Sequence, residues 1–334
     1  MKSLKLGRYA LSSCVATAIL AGCGGSQPPI GVPGAIPQSP AIATRADHGG
    51  SWMGLHLRQR DLLYVVSNSR VDVYRYWQRK HVGVLTDFSE PVGACADSAG
   101  NVYIVDYSRQ KIYEYAHGGK TPIKTLDDSP YAPSACSVTP STGDLAVANS
   151  GYPYYKSGNL AIYRNGTGKP IFLHGSGLHG DEFVGCTYDD RDDLLAMTQY
   201  NVSSVRHYEF YYRANKGKKL RLILLPNIGQ NSIQGLTWDG KYWVVGPTGD
   251  QLDLYSIGSR ARYVGTVTLP QGYLSGSIAI YRKNFVSRGT QVVEGVNDYY
   301  PEYSVLYWEY PAGGDPMGSF VDFSVALAIS LGKR

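Results

Sequence analysis

Six short segments of this 334-residue chain repeat one register: Gly93-Ala94-Cys95-Ala96, Ser134-Ala135-Cys136-Ser137, Val184-Gly185-Cys186-Thr187, Gln234-Gly235-Leu236-Thr237, Ser275-Gly276-Ser277-Ile278 and Val325-Ala326-Leu327-Ala328. Their third positions are spaced by 41, 50, 50, 41 and 50 residues. A period in the forties is the signature of a repeat architecture. Such a scaffold hosts many unrelated activities, so the register constrains the fold far more than the function.

The composition decides which repeat. With 28 Tyr and many Val and Ile, broken at short intervals by 39 Gly and 18 Pro, the chain reads as all-β. At 43% hydrophobic and 18% charged residues it has material for a large core and too little charge for disorder. The stretch Pro91 to Asp127 shows the unit most clearly. Its expected strands are Val92 to Ala96, Asn101 to Val105, Lys111 to Tyr115 and Pro122 to Leu126, with Asp97-Ser98-Ala99-Gly100 as the first turn. Four strands in about 40 residues make one propeller blade.

Third strands recur as Val71-Asp72-Val73-Tyr74, Leu160-Ala161-Ile162-Tyr163, Leu252-Asp253-Leu254-Tyr255 and Val305-Leu306-Tyr307-Trp308-Glu309-Tyr310. Leu62 to Leu85 supplies only three strands, and Val325 to Ile329 would provide the fourth. The expectation is therefore a six-bladed β-propeller, with ring closure by the C-terminal strand pairing with the N-terminal blade. Closure of that kind removes exposed sheet edges. The pattern Pro-x-Gly-x-x-x-Asp-x-x-Gly-Asn-x-x-x-x-Asp at Pro91 to Asp106 resembles an NHL-type propeller repeat, and the likeness extends over residues 61 to 330. The whole chain is similar to bacterial lipoproteins carrying such repeats. The resemblance implies a fold and no activity.

Residues 1–22 have the layout of an export signal, with Lys2, Lys5 and Arg8 before an apolar run from Ala10 to Leu20. The run is too short to span a membrane. Leu20-Ala21-Gly22-Cys23 resembles the lipobox of bacterial lipoproteins, which makes Cys23 the expected lipid attachment site and implies a cell-envelope location, facing the periplasm or exterior. Residues 23–50, with Pro28, Pro29, Pro33, Pro37 and Pro40, read as an extended tether, and 51–334 as the propeller domain. Without residues 1–22 the formal charge falls from +5 to +2, which lacks the basic stripe that nucleic-acid binding needs. Three cysteines then remain, Cys95, Cys136 and Cys186. An odd number argues against a disulfide framework and for small buried residues between blades.

The densest polar constellation is His174, His179, Asp181 and Glu182, on the glycine-rich loop between the third and fourth blades. Two imidazoles and two carboxylates are metal-ligand types, but the spacing matches no zinc motif, so we assign a binding role and no metal or other cofactor. The run Asp189-Asp190-Arg191-Asp192-Asp193 falls at the turn register of Asp97 and reads as a turn rather than a calcium loop. The basic loop Arg213, Lys216, Lys218, Lys219 and Arg221 could touch anionic lipid, or stand as a solvated hairpin loop. Hydrolase and phosphate-loop signatures are absent. Glu90, Asp106, Asn149, Gln199 and Glu294 are the acids and amides expected near the channel mouth. The favoured function is a binding or scaffolding module for a protein or glycan partner. An extracytoplasmic propeller hydrolase or lyase, with metal dependence as one form, is the alternative.

Overall fold

The computed structural model describes residues 50–53 and 61–332, apart from the short segments 68, 77, 152–156, 176–181, 203–204, 215–218, 229–232, 234, 247–249, 270–273, 283–290, 298–303, 313–317 and 322–325. Strands β1 (Trp52–Met53), β2 (Leu62–Ser67), β3 (Arg70–Arg75) and β4 (Lys80–Leu85) come first. One blade holds β5 (Pro91–Ala96), β6 (Val102–Asp106), β7 (Lys111–Tyr115) and β8 (Pro122–Asp127). The next holds β9 (Ala132–Val138), β10 (Leu145–Ser150), β11 (Asn159–Tyr163) and β12 (Ile171–Leu173). Strands β13 (Glu182–Tyr188), β14 (Leu194–Val202), β15 (Val205–Arg213) and β16 (Arg221–Ile223) follow, then β17 (Gly235–Trp238), β18 (Trp243–Gly246), β19 (Gln251–Ile257) and β20 (Ala261–Thr268). The last blade is β21 (Leu274–Arg282), β22 (Gln291–Asn297), β23 (Ser304–Tyr310) and β24 (Gly318–Val321), and β25 (Ala326–Gly332) ends the described chain.

Within each blade the strands pair antiparallel in chain order, so the first strand is innermost and the fourth forms the outer edge. Burial follows that order in the blade β5–β8: every residue of β6 is buried, while most of β8 is exposed. The first strands are crowded, which is why the repeat register favours small residues. A Cβ added at Gly93 would lie 2.9 Å from the Ser134 carbonyl oxygen on β9. The core is a set of seams between neighbouring sheets. Val105, Ile112 and Leu126 meet Leu145, Val147 and Tyr163 at one seam, and Ala146, Ala148 and Leu160 meet Phe183, Ala196 and Tyr211 at the next.

The acidic turn residues act as local clamps. Asp97 Oδ1 accepts from the backbone N–H of Ala99 (2.9 Å) and Asn101 (2.8 Å), and Asp239 Oδ1 from Lys241 (2.7 Å) and Tyr242 (2.6 Å). In the run at 189–193, Asp189 Oδ1 does the same for Arg191 (2.8 Å) and Asp193 (2.9 Å), so that run is a first-to-second-strand turn. A short carboxylate that bonds its own backbone two residues on holds the reversal without help from the core.

Two expectations need correction. Six like blades, with ring closure by a C-terminal strand completing a four-stranded blade, are not formed. Among the described residues there are five four-stranded blades, each cut from one continuous stretch of chain, and the ends of the domain build a different object: a five-stranded sheet in the order β1-β4-β3-β2-β25. The extra strand has a local cause. Ser51 Oγ accepts the Thr86 N–H at 2.9 Å, and Trp52 and Met53 pair with Val84 and Gly83 along the outer edge of β4. At the inner edge β25 pairs with β2, from Gly332 opposite Leu62 to Ala326 opposite Ser67, and lies against β5 and β21.

The second correction concerns the cysteines. Cys95 and Cys136 form a disulfide, with Cα atoms 5.6 Å apart and a sequence separation of 41, and Cys186 is a buried free thiol. The odd count of cysteines argues against a disulfide framework, but adjacent inner strands in one register place like positions side by side. The third cysteine is left over because the next register position is Leu236.

Candidate functional site

The blade-to-blade connections and the second-to-third-strand turns share one end of the domain, and the candidate residues of the sequence gather there. His174 follows β12 and is exposed; Glu182 opens β13. These two mark either end of one connection. His179 and Asp181, between them, lie outside the described residues, as does Cys23. No group of three or more His, Cys, Asp or Glu able to hold a metal occurs among the described residues.

Glu182 sits opposite Gln199 on β14, whose other neighbour is Tyr208 on β15. That rung is the last to which the inner strand contributes. Beyond it Tyr200, Asn201 and Val202 pair only with His207, Arg206 and Val205, and β16 reaches no farther along β15 than Phe210. The two nine-residue strands therefore run out as a two-stranded ribbon, where β6 has five residues and β18 four. An isolated two-stranded ribbon is marginal in water, so this one needs side-chain support. Tyr200 and His207 supply it: their rings stack at 15° with centroids 5.3 Å apart, on a cross-strand pair. At the base of the ribbon Tyr211 donates to Glu209 at 2.9 Å. Sequence reasoning passed over Tyr200 and His207. The signal available was a run of alternating residues, Leu194 to Arg213, longer than its sisters and reversing at Val202-Ser203-Ser204-Val205.

The residues expected at the channel mouth divide. Asp106 is fully buried and accepts the N–H groups of Ser89 (2.8 Å), Glu90 (3.0 Å) and Arg109 (3.2 Å), so it fastens the connection entering β5. Glu90 is exposed and accepts from Ser108. Asn149 faces the neighbouring blade, donating to Asn159 Oδ1 at 3.0 Å. Asp128 joins the same buried cluster, accepting from Tyr163 at 2.5 Å, and burial pushes its carboxyl up to about 7. Gln199 stands at the base of the ribbon, and Glu294 lies on β22 between Ala279 and Tyr307. At the opposite end, Arg221 of the basic loop donates to the carbonyls of Gly258 (2.7 Å) and Ser259 (2.8 Å), which ties it to the next blade.

No protein-family model and no curated protein matches the sequence. Solved structures do. The fold is similar to a protein of unknown function from Bacteroides caccae, at 12% identity and a TM-score of 0.57, covering 83% of this chain and 100% of that one. It is also similar to a chain of the nidogen–laminin complex (14% identity, TM-score 0.54, 82% and 98% covered) and to the WD40 repeats of RRP9 (10%, 0.54, 80% and 80%). At these identities the likeness shows the fold alone, and together with the radial four-stranded sheets it defines the class: this is a β-propeller protein.

Proposed function

We propose that this chain is an NHL-type, lipid-anchored propeller of the bacterial cell envelope that binds a protein or glycan partner through the end bearing the β14–β15 ribbon. One observation carries the binding assignment: the ribbon leaves its blade and presents a stacked Tyr200–His207 pair beside the connection that begins at His174 and ends at Glu182. A blade needs no such extension for its own core. Rings stacked across a strand pair give contact area at low entropic cost, which suits a sugar ring or a peptide side chain. A chain of similar fold occurs in the nidogen–laminin complex, which shows that such folds can enter protein complexes. The Cys95–Cys136 disulfide supports an oxidising compartment outside the cytosol. The lipobox-like Leu20-Ala21-Gly22-Cys23 supports the anchor, and the Pro91 to Asp106 pattern supports the repeat type.

The test compares the full chain with a Tyr200→Ala/His207→Ala double variant in capture from envelope extracts and on a glycan array. A partner enriched by the parent and lost with the variant is the expected result. Identical binding profiles for the two proteins would remove the ribbon from the assignment. Mass spectrometry of the membrane-extracted protein checks the anchor: an acylated Cys23 at the mature N-terminus is expected, and a mature end elsewhere without lipid would overturn it.

A further inference from the structure

A propeller leaves the outer edge of every fourth strand open to pairing, and natural sheets blunt such edges by shortness, charge, proline or a covering element. In this chain β12 and β16 have three residues each and β24 has four. Strand β8 carries Pro122, Lys124 and Asp127, with Lys124 held to Glu114 at 2.7 Å. Strand β4 is covered by β1. Among the described residues, strand β20 has only one of these protections, the single charge of Arg262. At eight residues it is the longest of these edges, and Ala-Arg-Tyr-Val-Gly-Thr-Val-Thr holds one charge and strongly strand-forming residues.

Strands β4 and β20 match in detail. Both face a third strand of the form apolar-Asp-apolar-Tyr, Val71 to Tyr74 and Leu252 to Tyr255. Both bulge at a valine: Val73 pairs with Gly83 and Tyr74 with His81, skipping Val82, while Leu254 pairs with Gly265 and Tyr255 with Tyr263, skipping Val264. A bulge usually twists an edge out of use. Here it does not, because β1 pairs on β4 at the two residues that follow the bulge, Gly83 and Val84. Val82 is 7% exposed in that sheet, where Met53 packs onto the same cluster, whereas Val264 is 39% exposed. A Cβ added at Gly265 would meet nothing within 4 Å, so the space beside the acceptor residues is open.

We infer that Gly265 and Thr266 on β20 form a strand-acceptor site for an extended peptide segment of a partner protein, one that places a large apolar residue opposite Gly265 as Met53 stands opposite Gly83. Backbone hydrogen bonds would provide the affinity and the cover over Val264 the selectivity. The site lies on the outer rim and is separate from the ribbon face.

The probe is a labelled synthetic peptide of residues 47–57 of this chain, which contains the one segment among the described residues that pairs in this way, titrated into the full-length protein. Saturable binding with Kd below about 1 mM is expected, as for short strand-adding peptides. Gly265→Lys has room for its side chain and puts an edge lysine at the acceptor; it should weaken binding by about tenfold or more with unchanged thermal unfolding. N-methylation of the Met53 amide in the peptide should do the same, and Val264→Lys gives a second, independent block. Binding that survives both lysine variants, or the absence of binding at 1 mM peptide (about the weakest affinity of interest), would overturn the site. So would a change of oligomeric state in Gly265→Lys by sedimentation velocity, since a second copy would then be the occupant.

Discussion

The blade β9–β12 holds its two neighbours by different means. Toward β5–β8 the seam carries the Cys95–Cys136 disulfide and a buried polar cluster of Asp128, Tyr163, Asn149 and Asn159. Lys124 also donates across it to the Gly166 carbonyl at 3.1 Å. Toward β13–β16 the same register position is a free thiol, packed among Ala146, Ala148, Phe183 and Tyr211; the bonds that cross beside it are neutral, and one acidic group takes part farther out, where Ser141 in the β9–β10 turn donates to Asp192. Ser134 donates to the Phe183 carbonyl at 2.7 Å, and Ser137 accepts the Tyr188 N–H at 3.0 Å. A seam that buries a carboxylic acid costs stability, and the covalent tie offsets that cost where it arises. The apolar seam needs no tie.

The largest effect should come from removing the tie. Closing a 41-residue loop lowers the entropy of the unfolded chain, so Cys95→Ser/Cys136→Ser should lose up to roughly 4 kcal/mol in urea unfolding. A loss under about 1 kcal/mol would mean that the seam is held by packing alone.

Next comes the buried acid. Its folded-state value of about 7 lies above the 3.8 of an ordinary aspartate, so the native state keeps a proton that the unfolded chain gives up. Stability therefore falls as pH rises from about 4 to about 7, and is flat above that. Asp128→Asn removes this slope and should gain on the order of 4 kcal/mol at pH 8 and little at pH 4. A pH profile identical to the parent would show that Asp128 does not titrate in this window.

The smallest effect belongs to the apolar seam. Cys186 donates weakly to the Ala146 carbonyl at 3.7 Å, and burial pushes its thiol up to about 12. Cys186→Ala should cost about 1 kcal/mol. The native thiol should resist maleimide until the protein is unfolded; rapid labelling of the folded chain would contradict the packing described.

Much of this frame is legible in the chain. The strands of the Pro91 to Asp127 unit shift by a residue at most, because Asp97, Gly100 and Asn101 fix the turn locally. Features that depend on how far apart two blades stand are not legible. Cys95 and Cys136 are 41 residues apart, and only the crowding of adjacent inner strands brings their sulfurs together. Trp52–Met53 escapes notice because two residues carry no periodicity, so the extra strand of the terminal sheet appears only in three dimensions. At the candidate site, His174 and Glu182 stand out in the sequence by their polarity, and the structure sets them at the two ends of one connection. The Tyr200–His207 pair was hidden by its resemblance to ordinary strand residues.

The pairing of β2 with β25 also sets a timetable. Strand β2, one of the first made in the domain, waits for β25, the last of the described strands, while the five blades can each assemble from contiguous chain. During synthesis the half-built terminal sheet exposes the open inner edge of β2, a template for wrong partners until the C-terminal strand arrives.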